Sequence, residues 1–165
     1  MPVQTKMFAH ERVEGGKDEW LTPPWILEAL GGFTLDPCAP INRPWPTAKR
    51  HYTIEDNGLS LPWAGRVWCN PPYSDADSWL KRMAEHGRGT ALTFARTETR
   101  RFFRWVWPEA TALLFIKGRL TFCHVDGRPA KNSAGAPSVL IAYGGFDAAR
   151  LKHSGIEGAY VVVVN

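Results

Sequence analysis

Two consecutive prolines, Pro71 and Pro72, stand directly after the apolar run Val67-Trp68-Cys69. The run reads as a buried strand. The prolines end it, because each fixes its own φ and together they remove two backbone donors that a sheet ladder needs. Asn70 and Tyr73 bracket the pair, so a polar amide and an aromatic ring sit where a strand stops. In open α/β sheets, ligands bind at the carboxyl ends of strands. The same tetrapeptide also reads as a tight turn with a tyrosine packed on it, and the rest of the chain has to decide between the two.

Short apolar runs alternate with helical patterns along the remainder. Thr22 reads as a helix N-cap ahead of Pro23 and Pro24, with Trp25, Ile26, Ala29 and Leu30 at helical spacing and Gly31-Gly32 as the stop. A strand over residues 33–35 then delivers Asp36-Pro37-Cys38, and a proline-rich loop follows over residues 40–50. After the strand at 67–69, Ser74 or Asp75 can cap a helix carrying Trp79, Leu80 and Met83. Residues 90–94 read as a strand, Thr99 as the cap of a short helix, and residues 112–115 as another strand. Residues 120–122 and 139–142 look like the arms of a long hairpin, followed by a helix over 147–153 and a strand over 160–164. Alternating strands and helices predict an α/β fold: one compact Rossmann-like domain over residues 18–165, with a mostly parallel sheet and an antiparallel edge hairpin. Residues 1–17, which end near Gly15-Gly16, predict a mobile tail.

With 165 residues the chain can bury a substantial core as one domain. No apolar run is long enough to span a bilayer and no signal segment is evident at the N-terminus, so a cytoplasmic location and no membrane partner are expected. Cys38, Cys69 and Cys123 are odd in number and widely spaced. Neither a C-x-x-C pair nor H-E-x-x-H occurs, so no metal site is expected. The formal charge of +4 and four arginines within nine residues (Arg96, Arg100, Arg101 and Arg104) point toward a nucleic acid, against the alternative of a solvated basic face.

The Asn-Pro-Pro-Tyr tetrapeptide resembles the catalytic loop of amino-methyltransferases. It stands in an ordered series: Thr22-Pro23-Pro24; Phe33-Thr34-Leu35-Asp36-Pro37-Cys38-Ala39; Asp56-Asn57-Gly58-Leu59 with Trp63; and Asn70-Pro71-Pro72-Tyr73-Ser74. Downstream come Ala95-Arg96-Thr97, Gly118-Arg119-Leu120-Thr121-Phe122 and Pro137-Ser138-Val139-Leu140. The series, over residues 18 to 145, resembles the phage-type DNA N-6-adenine methyltransferase (Dam-like) family. The resemblance implies S-adenosylmethionine as cofactor and double-stranded DNA as partner, with the target adenine flipped out.

It also implies roles. Asn70, Pro71, Pro72 and Tyr73 would form the catalytic loop, with Tyr73 as a stacking surface for the base. Thr22 and Pro23 would cover the methionine part of the cofactor, and Asp36, Pro37 and Cys38 would contact it, the carboxylate accepting from its ammonium group. Asp56 would accept from the cofactor's adenine amine and Leu59 would pack on its ring. Phe122 would be a second aromatic wall, and Arg96, Thr97, Lys117 and Arg119 would contact the target strand. Each residue also has an ordinary structural reading, as a turn carboxylate, a core aromatic or a salt-bridge partner.

Two departures from the pattern stand out. Only twenty positions separate Asp36 from Asp56, too few for a full βαβ unit of about 30 residues. A glycine-rich turn after the first strand is also absent, so the cofactor half of the fold is expected to be trimmed, with Glu55 the one candidate for a ribose-binding acid. Residues 123–136 are the only sizeable insertion near the active face and are expected to read the DNA. Two other functions fit the same residues: methylation of an RNA base or a protein glutamine amide, or a non-catalytic DNA-binding relative.

Overall fold

The computed structural model describes residues 19–164. The tail expected over residues 1–17 lies outside them. The elements in chain order are α1 (Pro24–Leu30), β1 (Leu35–Asp36), β2 (Arg50–His51), β3 (Val67–Cys69), a 3-10 turn (Tyr73–Asp75), α2 (Ala76–His86), β4 (Gly89–Phe94), α3 (Arg100–Trp105), β5 (Ala112–Ile116), β6 (Ser138–Tyr143), α4 (Gly145–Lys152) and β7 (Gly158–Val162).

The strands form one sheet in the order β2-β1-β3-β4-β6-β5-β7. The pairs β2-β1, β1-β3 and β3-β4 are parallel, while β4-β6, β6-β5 and β5-β7 are antiparallel. Strands β1 to β5 therefore all point the same way, and their carboxyl ends share one edge of the sheet. The antiparallel character is not confined to an edge hairpin, because β6 is inserted between β4 and β5.

Alternation along the strands builds a core on each face, since successive side chains point to opposite sides. Trp68, Leu92, Phe94, Leu114 and Leu140 bury on the face covered by Ile26 and Leu30 of α1 and Leu151 of α4. Val67, Cys69, Ala91, Leu113 and Ile141 bury on the other face, against Trp79, Leu80 and Met83 of α2 and Phe102 of α3. None of the described helices is long and apolar enough to cross a membrane.

The connections differ from the sequence expectation in three places. The hairpin arm opposite β6 is β5, not residues 120–122, and residues 117–137 form the excursion between them. Leu120 and Phe122 alternate like strand residues because both bury in the core. Their carbonyls instead accept from Ala134 and Ala130 within the excursion. Secondly, no α-helix lies between β1 and β2 or between β2 and β3, so this half of the sheet is short in its helices as well as its strands. Lastly, Thr22 is not the cap of α1. Pro23 occupies that place, without a side-chain cap bond.

A buried ion pair fastens α1 and α4 to the sheet. Arg66 Nε donates to Asp147 Oδ1 at 2.8 Å, and Arg66 Nη1 donates to the Leu30, Gly31 and Gly32 carbonyls at the end of α1. The Thr90 hydroxyl donates to the same Asp147 oxygen at 2.8 Å. The guanidinium lies 3.9 Å from the Phe33 ring centroid, and burial lowers its pKa.

Candidate active site

The carboxyl ends of β1 and β3 open into a cavity of about 610 Å³. This is within the size range of small-molecule and cofactor sites. Strand β3 delivers Asn70, and the two prolines carry the chain away from the sheet into the 3-10 turn that begins at Tyr73. Pro71 is buried, and Asn70, Pro72 and Tyr73 are half-buried. All four line the cavity. The Tyr73 ring stacks on Phe94, at the end of β4, with centroids 4.4 Å apart and planes 11° from parallel.

Asn70 Nδ2 donates to the Trp20 carbonyl and to Thr22 Oγ1, both at 3.3 Å. The segment that supplies these acceptors is tied down by a backbone pair with the excursion: Leu21 N–H donates to the Cys123 carbonyl at 2.9 Å, and Cys123 N–H to the Leu21 carbonyl at 3.0 Å.

Strand β1 delivers Asp36, whose carboxylate is engaged at both oxygens. Oδ1 accepts from the Cys38 N–H at 3.1 Å and Oδ2 from the Thr47 hydroxyl at 2.5 Å. Burial raises Asp36 from 3.8 to about 6, against the opposing pull of Thr47, the Cys38 N–H and Arg43. Thr47 is itself positioned by β2, because His51 Nε2 accepts from the Thr47 and Ala48 N–H groups at 3.1 and 3.3 Å. Burial lowers the His51 pKa, consistent with the neutral ring that accepting through Nε2 requires.

The Asp-Pro-Cys turn also touches the Asn70 loop. Cys38 Sγ lies 3.6 Å from Cys69 Sγ and donates to the Asn70 carbonyl at 3.5 Å. The Cys69 thiol beside it, and burial, push the Cys38 thiol well above its usual range, so it is a neutral donor. Gly58 also packs closely on the same turn. A Cβ at Gly58 would lie 2.0 Å from the Pro37 carbonyl oxygen, so only glycine lets residues 57–59 close on the turn.

Of the residues singled out in the sequence, Thr22, Asp36, Pro37, Cys38, Leu59 and Asn70 through Tyr73 meet in this one cavity. Pro23, Asp56, Arg96, Thr97 and Phe122 are not on its wall. Asp56 is exposed, and its Oδ2 accepts from the Thr53 N–H and hydroxyl at 2.8 and 3.2 Å. Phe122 is buried in the core. Arg96 and Thr97 sit at the end of β4, where their carbonyls accept from the Thr99 hydroxyl and the Trp107 indole. Lys117 and Arg119 follow β5 and line a second cavity of about 550 Å³ with Trp25. There Lys117 pairs with Glu157, and Arg119 Nη1 donates to the Ala134 carbonyl at 3.3 Å. The site also uses residues the sequence reading missed. Trp20, Thr47, Trp68 and Trp79 line the cavity, and Phe94 backs Tyr73.

A family model described as DNA N-6-adenine-methyltransferase (Dam) matches residues 10–157. The chain belongs to this family. The match spans every residue of the cavity wall and all the strands except the end of the sheet at β7. Methyl transfer to adenine in DNA is the general activity that Dam membership implies. Searches of curated proteins and of solved structures each returned no match.

The residues present fit the cofactor that such an activity calls for. Each carboxylate oxygen can accept more than one hydrogen bond, so Asp36 retains capacity for an ammonium group despite Thr47 and Cys38. Beside it, Leu59 and Trp79 offer an apolar wall for a ring.

Proposed function

We propose that this protein transfers a methyl group from S-adenosylmethionine to the exocyclic N6 of an adenine flipped out of double-stranded DNA. The observation that carries the reading is the convergence of Asn70, Pro71 and Tyr73 with Asp36 on one cavity, in a chain of the Dam family.

Asp36, Pro37 and Cys38 would hold the methionine end of the cofactor and Leu59 with Trp79 its adenine. When bound, the cofactor supplies an electrophilic methyl group. The protein's task is to make N6 a nucleophile. The N6 lone pair is delocalised into the purine ring and attacks poorly while the amine is planar. The Asn70 Oδ1 and the Pro71 carbonyl would each accept one N6 hydrogen and favour the pyramidal nitrogen that attacks. That assistance is greatest in the transition state, where it accelerates the reaction. Fixing the nitrogen on the line of attack supplies much of the remainder. Tyr73, stiffened by Phe94, would stack the base, and base–aromatic stacking returns roughly 1–3 kcal/mol against an unpairing cost of a few kcal/mol.

Arg100 and Arg104, exposed on one face of α3, would contact phosphates. Incubation of the purified protein with unmethylated DNA and labelled S-adenosylmethionine, followed by nucleoside mass spectrometry, tests the reading. Label in N6-methyladenine, lost in Asn70→Ala, is the expected result. Label appearing only in RNA or in a glutamine-containing protein refutes DNA as the substrate.

A further inference from the structure

A primary amide is two-faced: one end only donates and the other only accepts. Rotated by half a turn, Asn70 would present its NH₂ to an adenine amine, two donors facing each other. The reaction above therefore depends on which end of Asn70 faces the cavity, and the side chain has nearly the same shape either way.

The choice is made by the segment ahead of α1. A backbone carbonyl has no proton to give, so the end of Asn70 lying 3.3 Å from the Trp20 carbonyl must be the NH₂. The second N–H on that nitrogen reaches Thr22 Oγ1 at 3.3 Å. Both amide protons are thus spent on residues 20–22, and Oδ1 is the end left for a ligand. Thr22 is 2% exposed and Trp20 is 6% exposed. Water therefore has little access to replace either acceptor. The hydroxyl of Thr22 is not spent on the helix, which begins at Pro24 without a side-chain cap bond. Paired to Cys123 through Leu21, the segment has a fixed height over Asn70.

We infer that Thr22 is a positioning residue: its hydroxyl, with the Trp20 carbonyl, locks the Asn70 amide with its oxygen toward the target amine. The inference rests on the adenine-N6 reading for its catalytic consequence and on geometry alone for its placement. It gives Thr22 a task distinct from covering the cofactor.

Thr22→Val keeps the shape and removes the acceptor, Thr22→Ser keeps the acceptor, and Thr22→Ala serves as the second acceptor-free variant should valine fail to fold. With DNA and S-adenosylmethionine as substrates, Thr22→Val or Thr22→Ala is expected to lower kcat ten- to a hundredfold. The cofactor Kd and the KM for DNA should stay within about twofold, and Thr22→Ser should restore kcat to within about threefold. A wild-type kcat in both acceptor-free variants overturns the inference. So does a loss of cofactor affinity that accounts for the whole drop in kcat/KM, because Thr22 would then serve the cofactor. The Asn70 side-chain NH₂ signals in ¹⁵N–¹H spectra test the placement without turnover. In Thr22→Val one of the two protons should shift and exchange faster, and unchanged signals overturn the lock. A wild-type protein that methylates no adenine refutes the adenine reading, while those amide signals still decide the placement.

Discussion

The Thr47 hydroxyl donates to Asp36 Oδ2 at 2.5 Å, with both residues buried where β1 ends. Even with this bond, burial lifts Asp36 from 3.8 to about 6. A carboxyl raised on folding stabilises the fold while it is neutral, below about pH 4, and that stability is lost as the pH climbs through about 6. Two pK units correspond to about 3 kcal/mol. Asp36→Asn can keep both local bonds, its oxygen accepting from Cys38 and its NH₂ donating to Thr47. Denaturant unfolding at pH 8 is expected to show this variant more stable by about 1–3 kcal/mol, with the difference gone by pH 4. Calorimetry should show S-adenosylmethionine binding lost in it, and in the wild type weakening about tenfold per unit below pH 6.

The Tyr73–Phe94 stack makes a second prediction. Tyr73→Ala removes the aromatic surface and should lower kcat/KM for DNA by about ten- to a hundredfold, the equivalent of one stacked base. Tyr73→Phe preserves the ring and should stay within about threefold. Steady-state kinetics on one oligonucleotide duplex distinguishes the two.

Gly58 faces the Pro37 carbonyl so closely that a methyl group cannot enter. In Gly58→Ala the loop over residues 57–59 must lift from the Asp-Pro-Cys turn. Cofactor affinity measured by calorimetry should fall at least about tenfold, and the thermal transition should fall with it, because Gly58 is buried and its carbonyl accepts from the Trp63 indole at 2.8 Å.

Arg66→Met leaves the Asp147 carboxylate buried without its cation. Breaking one side of such a pair costs about 3–5 kcal/mol. Urea unfolding should report that loss. Replacing both residues, Arg66→Met with Asp147→Leu, should recover part of it.

Charge reversal at Arg100 and Arg104 addresses the DNA path. Each phosphate that a side chain ceases to neutralise reduces the salt slope of binding by about 0.9. The double Glu variant should therefore bind duplex DNA with a slope lower by about 2 and a weaker Kd at 100 mM salt. An unchanged slope would mean that this face of α3 does not meet the backbone.

Strands β3 and β5 are legible in the sequence because each is a continuous apolar run, and β4 because its apolar residues and β-branched threonines are all fit to bury, each strand filling both faces of the sheet. The end of β3 is legible because two prolines after such a run cannot continue a ladder. The strand order is less so: that β6 enters between β4 and β5 is decided by long-range packing, and Leu120 and Phe122 mimic a strand by burying at alternate positions. Thr47 carries no local signal, since it lies in a proline-rich loop and matters only through Asp36, eleven positions earlier. Thr22 precedes two prolines and so resembles a helix cap, while its hydroxyl answers to a residue far along the chain. Pattern reading identifies what a residue does for its neighbours in sequence; Asn70 and Thr22 are neighbours only in space.

The antiparallel pair between Leu21 and Cys123 joins positions about a hundred residues apart. Closing so long a loop is slow and entropically costly, and it yields nothing until most of the sheet exists. During synthesis the N-terminal segment emerges first yet must wait for residue 123 before it can dock. The Asn70 amide is consequently set only when the fold is nearly complete, so a growing or truncated chain can carry the whole Asn-Pro-Pro-Tyr loop and still be unable to mark DNA.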